Sequence, residues 1–273
     1  MSDRVGIEEL LAWYRDAGVD EPLAERPLDR FEQSAAIADE RARSRRTSRP
    51  VPEVEIATSA SRVVPLALSE DAAAQQAQEL AASCDDLASL KSAIASFEGC
   101  GLRETARNAV FAFGDAGASL AIVGGTPDRN EDAEGLPFAG GAGEMLERML
   151  RAIGFARDDA YLLCASPWRT PGERALRAGE KAILAPFLHR HIELAKPDLV
   201  LTMGGEAAEL LLGGGKRLPA LRGRVHEATV GFYSTKVVVT FHPNVLAKQP
   251  AQKRLAWADL LLLKSRLSAA HDA

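Results

Sequence analysis

Three short segments contain residues that could do chemistry, and each follows an apolar run typical of a buried strand. Gly124–Asp132 includes a Gly-Gly-Thr-Pro-Asp turn, Cys164–Arg169 includes a thiol and an arginine, and Phe241–Asn244 includes a histidine. A histidine can donate a hydrogen bond or move a proton near neutral pH. Each feature alone also has a plain structural explanation, as a turn, a core side chain or a ring bonded to loop backbone. A functional site requires the segments to converge.

The elements that would bring these segments together are short and continuous. Four apolar runs predict strands: Ser119–Val123, Tyr161–Ala165, Leu199–Met203 and Lys236–Phe241, with a further short β segment at Val110–Phe113. Helical patterns are predicted at Glu70–Ser83, Asp86–Phe97, Gly141–Ile153, Ala175–Ala195, Glu206–Leu212 and Gln252–Leu267. Apolar strands that alternate with helices predict an α/β fold, a three-layer α/β/α sandwich around a central, mostly parallel four-stranded sheet. The candidate segments would then share the carboxyl edge of that sheet.

The composition is that of a globular protein with some irregular sequence attached. The chain has 273 residues, is 47% hydrophobic and carries a formal net charge of −5, which still permits a local basic face. Its three cysteines have no CxxC spacing, so we expect neither a disulfide framework nor a cysteine-only metal site. No run approaches the roughly 20 apolar residues of a membrane span, and no signal-peptide core precedes the rest. These features predict a cytoplasmic protein with no membrane segment.

Four segments are predicted along the chain: a helical leader over residues 1–30, a flexible linker over 31–65, the main domain over 66–268 and a tail over 269–273. The leader includes an amphipathic helix at Ile7–Ala17, which Gly18 would end. The linker is polar and rich in arginine, and it lacks the apolar residues needed to offset the entropy of ordering it. It is either a solvated tether or a transient contact to nucleic-acid phosphates.

Motifs in a particular order suggest a family. G-x-x-P-x-x-x-E-D starts at Gly124, G-x-P-F-x-G-x-A-G starts at Gly135, a loop rich in proline and arginine follows Cys164, and H-P-N-x-L-x-K-x-P-x-x-K starts at His242. Together they resemble the uracil-DNA glycosylase superfamily, and most closely its iron–sulfur branch, often called family 4. The resemblance covers nearly everything from Cys100 to Lys264, and the segment 7–30 is similar to the leader of bacterial members.

The resemblance implies base excision, in which a deoxyuridine is flipped out of the duplex and water replaces the base at C1′ of the sugar. It implies that Phe138 stacks on the flipped base and that His242 donates to the base carbonyl O2, where negative charge develops. The implied base pocket is lined by Gly124, Gly125, Thr126, Pro127, Phe138 and Cys164, with backbone N–H groups around Gly125–Asp128 facing the base.

The same resemblance implies contacts to DNA from the loops around the pocket. Asn244 and Leu246 would lie near the vacated base stack, in the minor groove. The remaining DNA-binding candidates would contact phosphates: Arg169, Arg174, Arg222, Lys248 and Lys253.

Two positions depart from the family pattern where its chemistry is concentrated. The iron–sulfur branch has Gly-Glu-Ala-Pro-Gly in the first motif, with a glutamate that positions the attacking water, and Gly125 stands in its place. Asp128 would have to reach the water through a shifted loop, and we take it with His242 as the candidate catalytic pair. Cys164 stands where the family has an asparagine that reads the uracil edge. A thiol is a weak donor and a weak acceptor, so the recognition of uracil by one donor and one acceptor is lost. The alternative interpretation is that Cys164 is a small buried side chain of the core.

The positions of the iron–sulfur ligands have also changed. They correspond to Phe97, Cys100, Trp168 and Leu184, and one thiolate cannot hold a four-iron cluster. We therefore expect no metal and no cofactor. We expect the apolar side chains to pack together in the place of the cluster.

The sequence therefore predicts a monomeric, uracil-DNA glycosylase-like protein of base-excision repair. It would bind DNA and hydrolyse the N-glycosidic bond of a flipped uracil or other aberrant base, slowly or with altered base choice. The alternative is a non-catalytic DNA-lesion-binding module that has lost glycosylase activity. A small-molecule α/β protein would require the H-P-N-x-L-x-K-x-P run to be coincidence.

Overall fold

The structure, a computed structural model, describes residues 69–271. The predicted leader helix at Ile7–Ala17 and the predicted linker lie outside the described residues. No helix within the described range is both long enough and apolar enough to cross a membrane.

The centre of the fold is one mixed sheet of six strands. They are β1 (Ala112–Phe113), β2 (Leu120–Gly124), β3 (Ala160–Cys164), β4 (Leu199–Met203), β5 (Val225–Val230) and β6 (Tyr233–Thr240), in the order β1-β3-β2-β4-β6-β5. The four inner strands are parallel, and both edge strands are antiparallel to their neighbours. The prediction of a mostly parallel α/β sheet is confirmed.

The predicted strand number of four is wrong because both edge strands also join the sheet. β1 lies within the short β segment predicted at Val110–Phe113 and pairs with β3 over two residues. β5 forms a hairpin with β6, and one face of β5 meets solvent, so its sequence alternates polar and apolar residues and lacks the continuous apolar run of a buried strand.

Helices cover both faces of the sheet. In chain order they are α1 (Glu70–Ala82), α2 (Leu87–Ser96), α3 (Leu102–Thr105), α4 (Arg129–Glu134), α5 (Gly140–Ala152), α6 (Ala178–Ala195), α7 (Gly205–Leu212), α8 (Leu218–Leu221), α9 (Pro243–Lys248) and α10 (Lys253–His271). Helix α10 includes residues 269–271 of the predicted tail. The short helices α3, α4, α8 and α9 were not predicted, since four to six residues are too few to show a helical period.

Side chains of one strand alternate between two separate cores, which makes the fold a three-layer sandwich. Ala121 and Val123 of β2 belong to the core beneath α1, α2, α6 and α7. Leu120 and Ile122 belong to the opposite core, beneath α5 and α10. Because both faces of the sheet are sealed, the loops at the carboxyl ends of the parallel strands are the natural place for a ligand.

Candidate functional site

Four loops converge at the carboxyl edge of the inner strands. They follow β2 at Gly124, β3 at Cys164, β4 at Met203 and β6 at Thr240. The sheet register sets Gly124 beside Cys164 and Met203 beside Thr240, so the loops start at neighbouring points. The three segments singled out from the sequence therefore meet, and the loop after β4 joins them.

His242 is the N-cap residue of helix α9 and is held as a neutral donor. Its Nδ1 accepts a hydrogen bond from the backbone N–H of Asn244 at 3.3 Å, so the neutral ring carries its proton on Nε2. Burial lowers the pKa of His242 to about 4, and the nearby Asp128 carboxylate only partly opposes this. The side-chain amide of Asn244 donates to Asp128 Oδ2 at 3.3 Å, which ties the loop after β6 to the loop after β2.

Phe138 is fixed beside His242. The two rings lie nearly parallel, with centroids 5.9 Å apart and an angle of 17° between the planes. The phenyl ring also packs on Gly124, where an added Cβ would lie 3.1 Å from Cζ, so a larger residue at 124 would displace the ring. Phe138 is fully buried and has a φ of 53°, a left-handed conformation that costs energy for a bulky residue.

The strained backbone of Phe138 is held from both sides. Its N–H donates to Glu131 Oε1 at 2.5 Å, and its carbonyl accepts from Arg157 Nη1 at 3.0 Å. Arg157 Nη2 donates to the carbonyl of Pro137 at 2.9 Å. These contacts fix the ring in place before any ligand arrives.

Glu131 is a site residue that the sequence analysis did not select. Its side chain is 2% exposed, yet its carboxylate accepts from the N–H of Asp128 at 2.7 Å as well as from that of Phe138. Asp128 in turn caps α4 by accepting from the N–H groups of Asn130 and Glu131, at 2.8 and 3.1 Å. Burial raises the pKa of Glu131 to about 7, against the effect of the two backbone donors. The D-x-x-E spacing of a capping box was the available signal.

Cys164 is buried against Glu131. Its Sγ donates to Glu131 Oε1 at 3.7 Å, and the residue is 7% exposed. Burial, with the Glu131 carboxylate next, raises the pKa of the Cys164 thiol well above its usual range. The residue is therefore a protonated thiol, which is a poor nucleophile.

Glu206 is the second site residue that sequence reasoning missed. It lies in the first turn of α7, and its Oε2 accepts from both the N–H and the hydroxyl of Thr126, each at 3.1 Å. Its Oε1 accepts from the N–H of Leu176 at 2.9 Å. A Cβ added at Gly125 would lie 3.3 Å from Oε2, so the carboxylate fills the space beside that glycine. No sequence signal singled it out, since an acidic residue in a first helical turn is common.

These contacts engage part of the backbone lining expected around Gly125–Asp128. The N–H of Thr126 is bonded to Glu206 and that of Asp128 to Glu131, while Pro127 has no N–H. In this structure the loop turns these two amides toward carboxylates, because buried N–H groups need acceptors.

Two of the DNA-binding candidates occupy buried, structural positions. The side chain of Arg222 is 10% exposed and lies 4.3 Å over the ring of Phe241, with its Nε donating to Asp259 at 2.8 Å. Leu246 is 1% exposed within the core. Both side chains are therefore buried in this conformation, a feature that the motif spacing could not show, and their assignment to DNA stays a prediction.

The other candidates are more accessible. Arg174 forms a two-point ion pair with Glu180, and Arg169 lies 4.0 Å from Asp132. Lys248, at the end of α9, and Lys253, at the start of α10, are both exposed.

The residues that the family resemblance assigns to the iron–sulfur ligand positions do not fit a cluster. Phe97, Cys100, Trp168 and Leu184 are all buried in the same apolar core, and together they offer one thiol. A four-iron cluster normally takes four cysteines. Across the described part of the chain, no group of three or more His, Cys, Asp or Glu side chains is arranged to hold a metal ion. All three cysteines are unpaired and buried.

Comparison with known proteins agrees with this geometry. The family model described as the uracil DNA glycosylase superfamily matches residues 111–261, which include every loop of the site. The chain is 31% identical to a Type-4 uracil-DNA glycosylase of Thermotoga maritima over 169 residues, covering 61% of this chain and 86% of the relative. A protein of the same name from Archaeoglobus fulgidus is 30% identical over 161 residues, covering 58% and 81%. A third, from Saccharolobus solfataricus, is 28% identical over 189 residues, covering 67% and 88%. With a family match over more than half of its length and the site loops inside that match, this chain belongs to the uracil DNA glycosylase superfamily.

Proposed function

We propose that the protein is a DNA glycosylase of base-excision repair, which hydrolyses the N-glycosidic bond of uracil or another aberrant base. The observation that carries the proposal is a neutral His242, with its proton on Nε2, held beside the ring of Phe138. Relatives named Type-4 uracil-DNA glycosylase support the reaction type.

His242 acts as a hydrogen-bond donor to the leaving base. As the C1′–N bond breaks, its electron pair moves into the base and concentrates on the carbonyl O2. A neutral imidazole donor aimed at that oxygen stabilises the charge as it develops. The buried position keeps the ring neutral over the physiological pH range, so the donor needs no prior deprotonation.

Phe138 provides the flat surface for the flipped base. Its ring is covered by His242 and Gly124 in the free protein. One face of the ring is therefore uncovered when the base enters. Stacking of the base on that face recovers part of the cost of unstacking the nucleotide.

Asp128 is proposed to assist from beside His242. Its carboxylate partly opposes the lowering of the His242 pKa and accepts a hydrogen bond from the side chain of Asn244. A negative charge at this place favours the cationic sugar that forms as the base departs.

The neighbouring loops are proposed to bind DNA. Lys248 and Lys253 are the two exposed lysines of the histidine motif, and they can contact phosphates. Asn244 is half-buried on the same short helix. Arg169 and Arg174 are further phosphate candidates from the loop after β3.

Altered base choice is proposed from the contact between Cys164 and Glu131. A thiol cannot read a uracil edge with one donor and one acceptor, as an asparagine can. The same observation, together with Gly125, favours the second candidate function, a DNA-lesion-binding module without glycosylase activity.

The test is a panel of oligonucleotides that carry uracil, hypoxanthine or mispaired thymine, assayed for alkali-labile abasic sites and for binding. A glycosylase leaves abasic sites, and His242→Ala abolishes them while the protein stays folded. Salt-dependent binding without strand breakage after alkali would instead establish the binding module. A protein that neither binds these oligonucleotides nor leaves abasic sites in them would have neither function.

A further inference from the structure

The loop after β2 is held by the carboxylates of Asp128, Glu131 and Glu206, and they differ in what they can still accept. Glu131 is 2% exposed and bonded to two backbone donors, so it is closed to water. Asp128 and Glu206 are half-buried. Hydrolysis of a glycosidic bond requires a water molecule, and an acceptor for the proton that this water loses.

Asp128 lies on the side of the departing base. Its Oδ1 accepts from two backbone N–H groups of α4, and its Oδ2 accepts from the side chain of Asn244, two residues after His242. It is also the carboxylate that acts on the pKa of His242. Water attacks C1′ on the face opposite to the departing base, so its proton acceptor does not stand beside the donor to the base.

Glu206 satisfies that separation. Its hydrogen bonds go to Thr126 and Leu176, from the loops after β2 and β3 rather than from the loop after β6 that carries His242. Two donors from Thr126 meet Oε2 and one from Leu176 meets Oε1. A carboxylate accepts about four hydrogen bonds, so Oε1 can accept one more, from a water molecule.

Resting on the proposed glycosylase function, we infer that Glu206 is the carboxylate that accepts the proton of the attacking water. The C1′–N bond breaks with its electron pair leaving on the base, the water oxygen bonds to C1′, and the water proton passes to Glu206 Oε1. The proton then leaves to solvent or to the released base. No further reactant is required.

The experiment measures single-turnover excision from a uracil oligonucleotide by wild type, Glu206→Gln, Glu206→Ala and Glu209→Gln. Glu209 is the matched control, since it lies one turn along α7 and pairs with Lys181 at 2.7 Å. Affinity is measured separately with 2′-fluoro-2′-deoxyuridine DNA, whose glycosidic bond resists hydrolysis. Formate, a small carboxylate, is added to each variant.

We expect Glu206→Gln to lose roughly 10²- to 10⁴-fold in single-turnover rate while keeping wild-type affinity. Glu209→Gln should keep both. Formate should restore part of the rate of Glu206→Ala, because it enters the space left by the side chain, and should not restore His242→Ala. A purely structural role of Glu206 predicts no such rescue.

A Glu206→Gln variant as fast as Glu209→Gln would overturn the inference and leave the glycosylase function standing. Rate and affinity that fall together in Glu206→Ala, without rescue, would make Glu206 a support of the loop and also overturn it. A wild-type protein that excises no base from any oligonucleotide of the panel would overturn the proposed function and this inference together.

Discussion

Glu131 makes the stability of this protein depend on pH in a direction opposite to that of most carboxylates. The pKa of its buried side chain is raised by burial from 4.5 to about 7. Below pH 4.5 the carboxyl is protonated both folded and unfolded, so its contribution is fully present. Between pH 4.5 and 7 the unfolded chain loses the proton first, and stability falls as pH rises.

The magnitude follows from that interval. Each pH unit between the two pKa values changes the free energy of unfolding by about 1.4 kcal/mol, so the whole interval amounts to about 3 kcal/mol. Glu131→Gln removes the titration. The variant also loses one acceptor for the N–H groups of Asp128 and Phe138, a cost of about 1–3 kcal/mol that does not vary with pH.

Urea unfolding of wild type and Glu131→Gln, measured from pH 4.5 to 8, isolates the effect as a difference curve. Other titrating groups, including His191 and His242, are present in both proteins and cancel. Glu134→Gln is the matched control, because Glu134 is exposed on the same short helix and should give a flat difference curve.

We expect the stability of wild type relative to Glu131→Gln to fall by about 3 kcal/mol from pH 4.5 to 8. A difference that rises with pH would contradict this expectation. It would mean that the two backbone donors outweigh burial and that Glu131 is ionised in the folded protein throughout.

Further substitutions test other parts of the structure. His191 is stacked on Phe111 and hydrogen-bonded to Tyr161, and burial lowers its pKa to about 3. Its contribution to stability is therefore present above pH 6.5 and is lost as the pH falls. Below pH 6.5, urea unfolding should show wild type losing up to about 1.4 kcal/mol of stability per pH unit relative to His191→Gln. Asp259→Ala leaves the buried Arg222 unpaired and should cost about 3–5 kcal/mol in the same assay. Trp168→Ala opens a cavity in the apolar core and should cost about 3–5 kcal/mol. Cys164→Asn should raise single-turnover excision of uracil relative to other bases, since an amide offers both a donor and an acceptor.

Each of these expectations has an outcome that contradicts it. Equal pH dependence in wild type and His191→Gln would show that the ring titrates normally. A small loss in Asp259→Ala or Trp168→Ala would show that the surroundings relax or admit water. Unchanged base preference in Cys164→Asn would remove Cys164 from base reading.

The sequence was sufficient for features that depend on composition along a short stretch. Continuous apolar runs predicted the four inner strands, because a parallel strand is buried on both faces. The helix over Gly140–Ala152 was predicted to within one residue at each end, since its apolar spacing is strong. The motifs at Gly124 and His242 each follow a parallel strand. Because the carboxyl ends of parallel strands lie at one edge of the sheet, the sequence was enough to predict that these two loops are neighbours.

Only the tertiary structure decided which side chains face the site and which are buried behind it. Arg222 and Leu246 were selected from the sequence as DNA-binding candidates, yet the packing of α10 and β6 places them in the interior. Glu131 and Glu206 look like ordinary acidic residues near helix starts. Glu131 accepts from N–H groups close to it in the sequence, whereas Glu206 accepts from two loops that are distant in the sequence. Hydrogen bonds of Glu206 join residues 30 and 80 positions away. Contacts of that separation leave no local pattern in the chain, so burial and partner choice appear only once the fold is assembled.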